Sequence, residues 1–304
     1  KMILYNTDMK IPISNILYKN QNYAFNVSKI KIKTLKDLQI EQVMALIALS
    51  DKPLLLAGHG VRLSGATKLF KQLYTQLNIP VLTTWNSLDL IPYEHPLCVG
   101  RPGSVALRAP NFAVQNCDLL ISIGARLDNV VTAHNPAGFA RNAKKVVVDI
   151  DKNEINKHKM VVDVPVISDA AEFVHKLLGK LRTGSNETGT WVEQCQKWKD
   201  KYPVCDGQLF PLSGEISHYH FVSRLSKWIK EGELVITGSS GLAVEVFYSS
   251  FLNKLNQRCF LTSGLGSMGY GLPAAIGGCL AAGRKSVVAI EGDGSLQLNL
   301  QELS

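Results

Sequence analysis

The chain has 304 residues, 46% hydrophobic and 19% charged, with 24 glycines and 12 prolines. That length corresponds to about two domains of roughly 150 residues each, and the composition excludes a disordered, collagenous or coiled-coil protein in favour of a glycine-punctuated α/β chain. The formal net charge is +8. Residues 1–40 carry seven lysines against two aspartates, but these are scattered among Ile, Leu and Tyr. Lysines dispersed in this way, without an arginine cluster, read as a solvated connector rather than a nucleic-acid footprint.

No apolar run approaches the ~20 residues of a membrane helix. The opening Lys1-Met2-Ile3-Leu4-Tyr5 is broken by Asn6 and Asp8 and has no signal-peptide pattern. It does not begin with Met, so the chain is expected to be a piece of a longer polypeptide. The six cysteines (Cys98, Cys117, Cys195, Cys205, Cys259, Cys279) form no C-x-x-C pair and no zinc spacing. Most sit in apolar settings, which predicts buried free thiols in a reducing cytoplasm.

Residues 1–36 read as a short extended stretch and a Lys/Asn-rich connector. Residues 37–182 read as one α/β domain: helix IEQVMALIAL, strand PLLLAGHGV, helix GATKLFKQLYTQL, strand IPVLTTW, a helix end and strand in NFAVQNCDLLISIGARL, strand KKVVVDIDKNEI, the short run VPVIS and helix AAEFVHKLLGKL. Residues 183–212 read as a linker that opens TGSNETGT and includes a Trp-bearing helix, WVEQCQKWKDKY. Residues 213–304 begin a second series: helix HFVSRLSKWIKEG, strand ELVITG, helix LAVEVFYSSF, strand RCFLTSG, helix LPAAIGGCLAAG, strand SVVAIEG and helix SLQLNLQEL. Apolar strands alternating with helices imply doubly wound parallel sheets in both domains. The second series stops at Ser304 without a helical stop signal, so that domain is expected to be incomplete.

Three glycine-rich loops follow strands in the second series. Gly292-Asp293-Gly294-Ser295 leads from a strand to a helix start, where glycines let a ligand approach the backbone and the helix N-terminus favours an anion. A carboxylate there, Asp293, suits a hard cation such as Mg²⁺ bridging phosphate oxygens. The glycine-dense stretch Ser263–Gly271 precedes a helix of small residues, and Gly238-Ser239-Ser240-Gly241 opens another. Each loop alone fits an ordinary turn; three together suit a crevice for a phosphorylated cofactor.

LGSMGYGLPAAIG followed by EGDGSLQLNLQEL resembles the diphosphate-binding domain of thiamine-diphosphate enzymes, most closely that of the acetohydroxyacid (acetolactate) synthase large subunits. CDLLISIGARLDNVVT and VVVDIDKNEI resemble that family's middle domain. The resemblance implies a carboligase that uses thiamine diphosphate and Mg²⁺ to decarboxylate pyruvate and pass the acyl unit to a 2-oxo acid. It implies Asp293 as a Mg²⁺ ligand, with Gly292, Gly294 and Ser295 on the diphosphate and a second ligand, usually Asn, beyond the end of the chain. Gly266 would offer its carbonyl to the aminopyrimidine and Met268, next to Ser267, would be the apolar wedge under the cofactor. Gly238, Ser239 and Ser240 stand where the synthases carry Gln and His. That departure keeps open another acceptor such as a keto-sugar, a simple 2-oxo acid decarboxylase, or a non-catalytic nucleotide-binding homologue.

In the synthases the middle domain holds FAD, and Gly58, Gly60, Thr84, Arg126 and Asp149 stand at matching places. The family's second Arg is missing from Leu127-Asp128-Asn129-Val130, and Trp85-Asn86 replaces an apolar pair. Arg126 therefore reads equally as a surface ion-pair residue, and His59 and His134 read as structural. The resemblance also implies a homodimer or homotetramer with the active site between subunits. A catalytic glutamate would lie on a pyrimidine-binding domain whose last strand would be Lys1–Ile11. Residues 1–304 alone are accordingly expected to be inert, with no catalytic residue of their own.

Overall fold

A computed structural model describes residues 2–5, 37–157, 160–181, 188–262 and 264–304, with backbone alone for 2–5 and no side chain for Leu242. Among the described residues ten strands can be followed: β1 (Met2–Tyr5), β2 (Pro53–Ala57), β3 (Val81–Thr83), β4 (Cys98–Gly100), β5 (Leu119–Ile123), β6 (Lys144–Asp149), β7 (Val164–Ile167), β8 (Leu234–Thr237), β9 (Arg258–Leu261) and β10 (Val287–Ile290).

Strands β2 to β7 form one wholly parallel sheet in the order β4-β3-β2-β5-β6-β7. β2 and β5 are buried along their whole length, because helices cover both faces. Side chains alternate across the pleat. Leu55 and Ala57 enter one core with the helices Asp37–Leu49, Thr67–Leu77 and Ala170–Lys180. Leu54 and Leu56 enter the other, which also takes residues of the helices Arg108–Asn116 and Gly189–Lys201.

The helix Gly189–Lys201 lies inside the stretch read from sequence as a linker. It is docked on the first sheet's domain: Trp191 Nε1 donates to Pro53 O at 3.0 Å, and Lys199 Nζ donates to Cys98 O at 3.0 Å. TGSNETGT lies largely outside the described residues, 182–187 being absent from them.

The second sheet has the order β1-β10-β8-β9, with β8, β9 and β10 parallel and β1 antiparallel on β10, Met2 opposite Ile290. The backbone of Met2–Tyr5, which the resemblance placed in a preceding domain, thus extends this sheet.

Two predicted helices are irregular. LAVEVFYSSF starts as a π-helical turn, Leu242–Val246, in which Val246 N bonds Gly241 O at 3.1 Å, before the α-turn Phe247–Ser250. SLQLNLQEL splits into the helix Asp293–Gln297 and a 3₁₀ turn, Leu300–Leu303. The break is at Asn299, whose backbone leaves the helical region (φ −132°) while its side-chain amide donates to Gly269 O at 2.6 Å.

The two sheets are joined through a 3₁₀ helix, Trp85–Leu90, that leaves the end of β3. Thr84 N donates to Ser87 Oγ at 2.9 Å, and Ser87 Oγ donates to Ala57 O at 2.7 Å, which pins its start to β2. Leu88 enters the core beneath β8 and β9, and Trp85 lies 5.8 Å from the Tyr248 ring.

Asp89 completes the joint with a fully buried side chain. Its Oδ1 meets Arg62 Nη2 at 2.7 Å, and its Oδ2 meets Arg258 Nη1 at 3.0 Å and Cys259 N at 3.0 Å. One carboxylate therefore ties the first domain to β9. Asp89→Ala is expected to lower unfolding stability by about 3 kcal/mol, the low end for a broken buried pair because both arginines keep some contact with water. Denaturant titration with an unchanged midpoint would contradict that role.

Candidate cofactor site

β8, β9 and β10 run parallel, so the loops that leave them emerge on one edge of the sheet. All three glycine-rich segments meet there. Ser239 Oγ donates to Gly266 O at 2.9 Å, which joins the loop after β8 to the loop after β9. Gly269 N donates to Ser295 Oγ at 2.7 Å, which joins the loop after β9 to the turn after β10. Gly269 holds a left-handed φ of +83°, and an added Cβ would sit 2.8 Å from Asn299 Nδ2, so glycine is required.

The turn after β10 is equally tight. A Cβ on Gly292 would lie 2.8 Å from Ser239 O, and one on Gly294 would lie 3.3 Å from Met268 Cε. Asp293 stands exposed on the first turn of Asp293–Gln297 and its Oδ1 accepts from Gly294 N at 2.9 Å. Ser295 is buried, whereas Met268 is 55% exposed and Ser267 is exposed beside it. Ser240 Oγ accepts from Ala243 N at 3.0 Å and starts the π-turn. The ten residues singled out from sequence in this domain are thus gathered at one sheet edge.

A further residue at this edge escaped sequence reading. Glu291, directly after β10, is 3% exposed. Its Oε1 accepts from Ser239 N at 3.0 Å and from Gly292 N at 3.1 Å, while the buried Oε2 has no hydrogen-bond partner among the described residues. A Cβ on Gly238 would fall 1.9 Å from Oε1, and one on Gly271 would fall 2.0 Å from Oε2. These two glycines make room for a carboxylate. The available signal was a glycine directly after one strand, Gly238, and another at the start of a helix, Gly271, but neither spacing points to a glutamate beside Gly-Asp-Gly.

The flavin candidates are not gathered in the same way. Gly58 N donates to Ile123 O at 2.9 Å and Gly60 N to Gly124 O at 3.0 Å, and a Cβ on Gly58 would lie 2.1 Å from Gly124 O. Two backbones therefore close on each other between β2 and β5, where the strand order reverses and a dinucleotide would enter. Thr84 starts the joining 3₁₀ helix. Asp149 Oδ1 accepts from Asp151 N at 2.9 Å, and burial raises its carboxyl above the usual value against that bond.

Arg126 is 69% exposed and paired with Glu154 at 3.4 Å. It lines an open cleft of about 470 Å³ with Asp128, His134 and Lys157, and none of the other four candidates lines it. His59 Nδ1 bonds Asn86 O at 2.9 Å; burial holds its imidazole below the ordinary value, the Asn86 bond opposes that, and the Arg258 and Arg62 cations add to it.

Residues 40–177 match the thiamine pyrophosphate enzyme central domain, and residues 237–304 match the C-terminal TPP binding domain of the same enzymes. The chain belongs to the thiamine pyrophosphate enzymes. Among its relatives, a probable acetolactate synthase large subunit of Methanocaldococcus jannaschii is 36% identical over 275 residues, covering 88% of this chain and 45% of that protein. The acetolactate synthase large subunits of Porphyra purpurea and of Lactococcus lactis subsp. lactis are each 32% identical, covering 90% and 88% of this chain and 45% of each relative. The chain thus spans less than half the length of these relatives. In thiamine pyrophosphate enzyme terms, the loop cluster lies in the C-terminal domain and the closed crevice in the central one.

The packing around Glu291 makes a stability prediction. Gly238→Ala and Gly271→Ala should each destabilise by about 1–3 kcal/mol, the cost of overpacking. Gly277→Ala, in the same helix as Gly271 with nothing within 4 Å of its added Cβ, should stabilise by about 0.5–1 kcal/mol. Thermal unfolding of the three variants separates the two outcomes; equal midpoints would remove the clash.

Proposed function

We propose that the protein to which this chain belongs is a carboligase dependent on thiamine diphosphate and Mg²⁺. It decarboxylates pyruvate and transfers the two-carbon acyl unit to a second 2-oxo acid. The observation that carries this reading is the convergence of three glycine loops around Asp293 at one sheet edge. The names of the relatives point to the same reaction.

The residues present fit the cofactor. The Asp293 carboxylate, exposed on a first helical turn, supplies a hard oxygen ligand for a cation that neutralises a diphosphate. Gly292 and Gly294 leave the backbone bare beside it, and the buried Ser295 hydroxyl keeps a proton to donate while its oxygen accepts from Gly269 N. The Met268 thioether over Gly294 offers a polarizable apolar surface. The Gly266 carbonyl has one lone pair taken by Ser239 and a second left for an amino group. When bound, thiamine diphosphate supplies the electron sink for decarboxylation.

Leu265 and Leu298 are 87% and 57% exposed beside the loops, which favours a partner subunit over the site. The cysteines at 98, 117, 195, 205, 259 and 279 are all free thiols, which favours a reducing, cytoplasmic setting. Among the described residues no helix is long and apolar enough to cross a membrane.

One observation favours a different acceptor. Ser239 and Ser240 stand where the synthases carry Gln and His, and both hydroxyls already bond within the loops. The same donor chemistry then delivers to a keto-sugar, or ends at decarboxylation. Incubating full-length protein with pyruvate, thiamine diphosphate and Mg²⁺ and identifying the product by mass tests both readings: acetolactate is expected, and pyruvate left untouched would overturn the donor assignment. Asp293→Ala should abolish Mg²⁺-dependent cofactor binding; unchanged affinity would refute that ligand.

We infer that the central domain holds no flavin: Gly58 and Gly60 serve a backbone contact, Thr84 starts the joining helix and Arg126 is paired on the surface. The purified protein should therefore show no flavin absorbance, and a yellow protein that releases FAD on denaturation would contradict this.

A further inference from the structure

Nothing in the chemistry proposed above uses Glu291, yet it is the charged side chain buried deepest in the loop cluster, at 3% exposure. Burying a carboxylate is costly unless its oxygens are bonded. This one bonds the amide that opens the Ser239-Ser240 loop and the amide that opens the Gly292–Ser295 turn, both through Oε1. It lies between Gly238 and Gly271, so the ends of β8 and β10 and the start of the helix Gly271–Ala281 all abut one side chain.

We propose that Glu291 is the positioning residue of the diphosphate turn: its Oε1 clasps Ser239 N and Gly292 N and so sets the spacing between the two loops that receive the cofactor. This inference rests on the thiamine diphosphate reading. The clasp works through hydrogen bonds rather than charge. Only Oε1 is engaged, and Oε2 has no partner among the described residues. Glutamine keeps an acceptor oxygen in the same place and preserves the clasp. Alanine leaves two partly buried N–H groups without this acceptor and a void between the glycines.

The test uses full-length wild type, Glu291→Gln and Glu291→Ala. Thiamine diphosphate is titrated calorimetrically at saturating Mg²⁺, and amide hydrogen exchange is read on the cofactor-free proteins. The Gln variant should bind within about twofold of wild type, with the Ser239 and Gly292 amides protected. The Ala variant should bind about tenfold or more weakly, with those two amides exchanging fast and the strand amides still slow. An Ala variant that binds like wild type, or a Gln variant as weak as Ala, overturns the proposal. Should the Ala variant fail to fold, the wild-type amides and the Gln variant decide: slow exchange with retained binding supports the clasp, and fast exchange overturns it. A wild type with slow amides that binds no thiamine diphosphate overturns the cofactor reading alone.

Discussion

Parallel strands deliver their loops to a common edge, and loops that meet there need something to hold them at fixed separation. In the second domain that is the carboxylate of Glu291, held by Gly238 and Gly271 and bonded to Ser239 N and Gly292 N in two different loops. The remaining contacts follow from it. With Ser239 fixed, its hydroxyl reaches Gly266 O; with Gly292 fixed, Ser295 is placed to accept from Gly269 N. Several glycines here, Gly238, Gly269, Gly271 and Gly292 among them, are demanded by protein packed against them.

The first domain contributes through rigidity. Its sheet reverses strand order between β2 and β5, the usual point of entry for a dinucleotide. Here the two loops hydrogen-bond to each other across that point. From the next strand it extends the 3₁₀ helix Trp85–Leu90 into the neighbouring core, and Asp89 gathers Arg62, Arg258 and Cys259 N. Because Arg258 and Cys259 lie on β9, this cluster around a buried carboxylate anchors the strand from which the glycine-dense loop departs. The first domain thus acts as a brace for the proposed cofactor site.

Much of this was legible in the sequence because its signals are local. Apolar runs such as LLISI and KVVVD mark buried parallel strands, and Gly-Asp-Gly-Ser marks a turn where the backbone must stay bare. What was not legible depends on partners far along the chain. Glu291 and Gly238 are 53 positions apart in sequence terms, and only the fold shows that a glycine at one end answers a glutamate at the other. Asp89 carries no local signal because both its arginines are distant in the sequence. The three residues of β4 are too few for periodicity to register. Gly58 and Gly60 resembled ligand-binding glycines, since a backbone approached by another backbone leaves the same mark in sequence as one approached by a cofactor.

The most direct measurement is the structure of the full-length protein with thiamine diphosphate and Mg²⁺ bound. The prediction is a metal on the Asp293 carboxylate, a diphosphate against Gly292, Gly294 and Ser295, and Glu291 still bonded to Ser239 N and Gly292 N. A cofactor seated away from this sheet edge, or a metal held without Asp293, would contradict it.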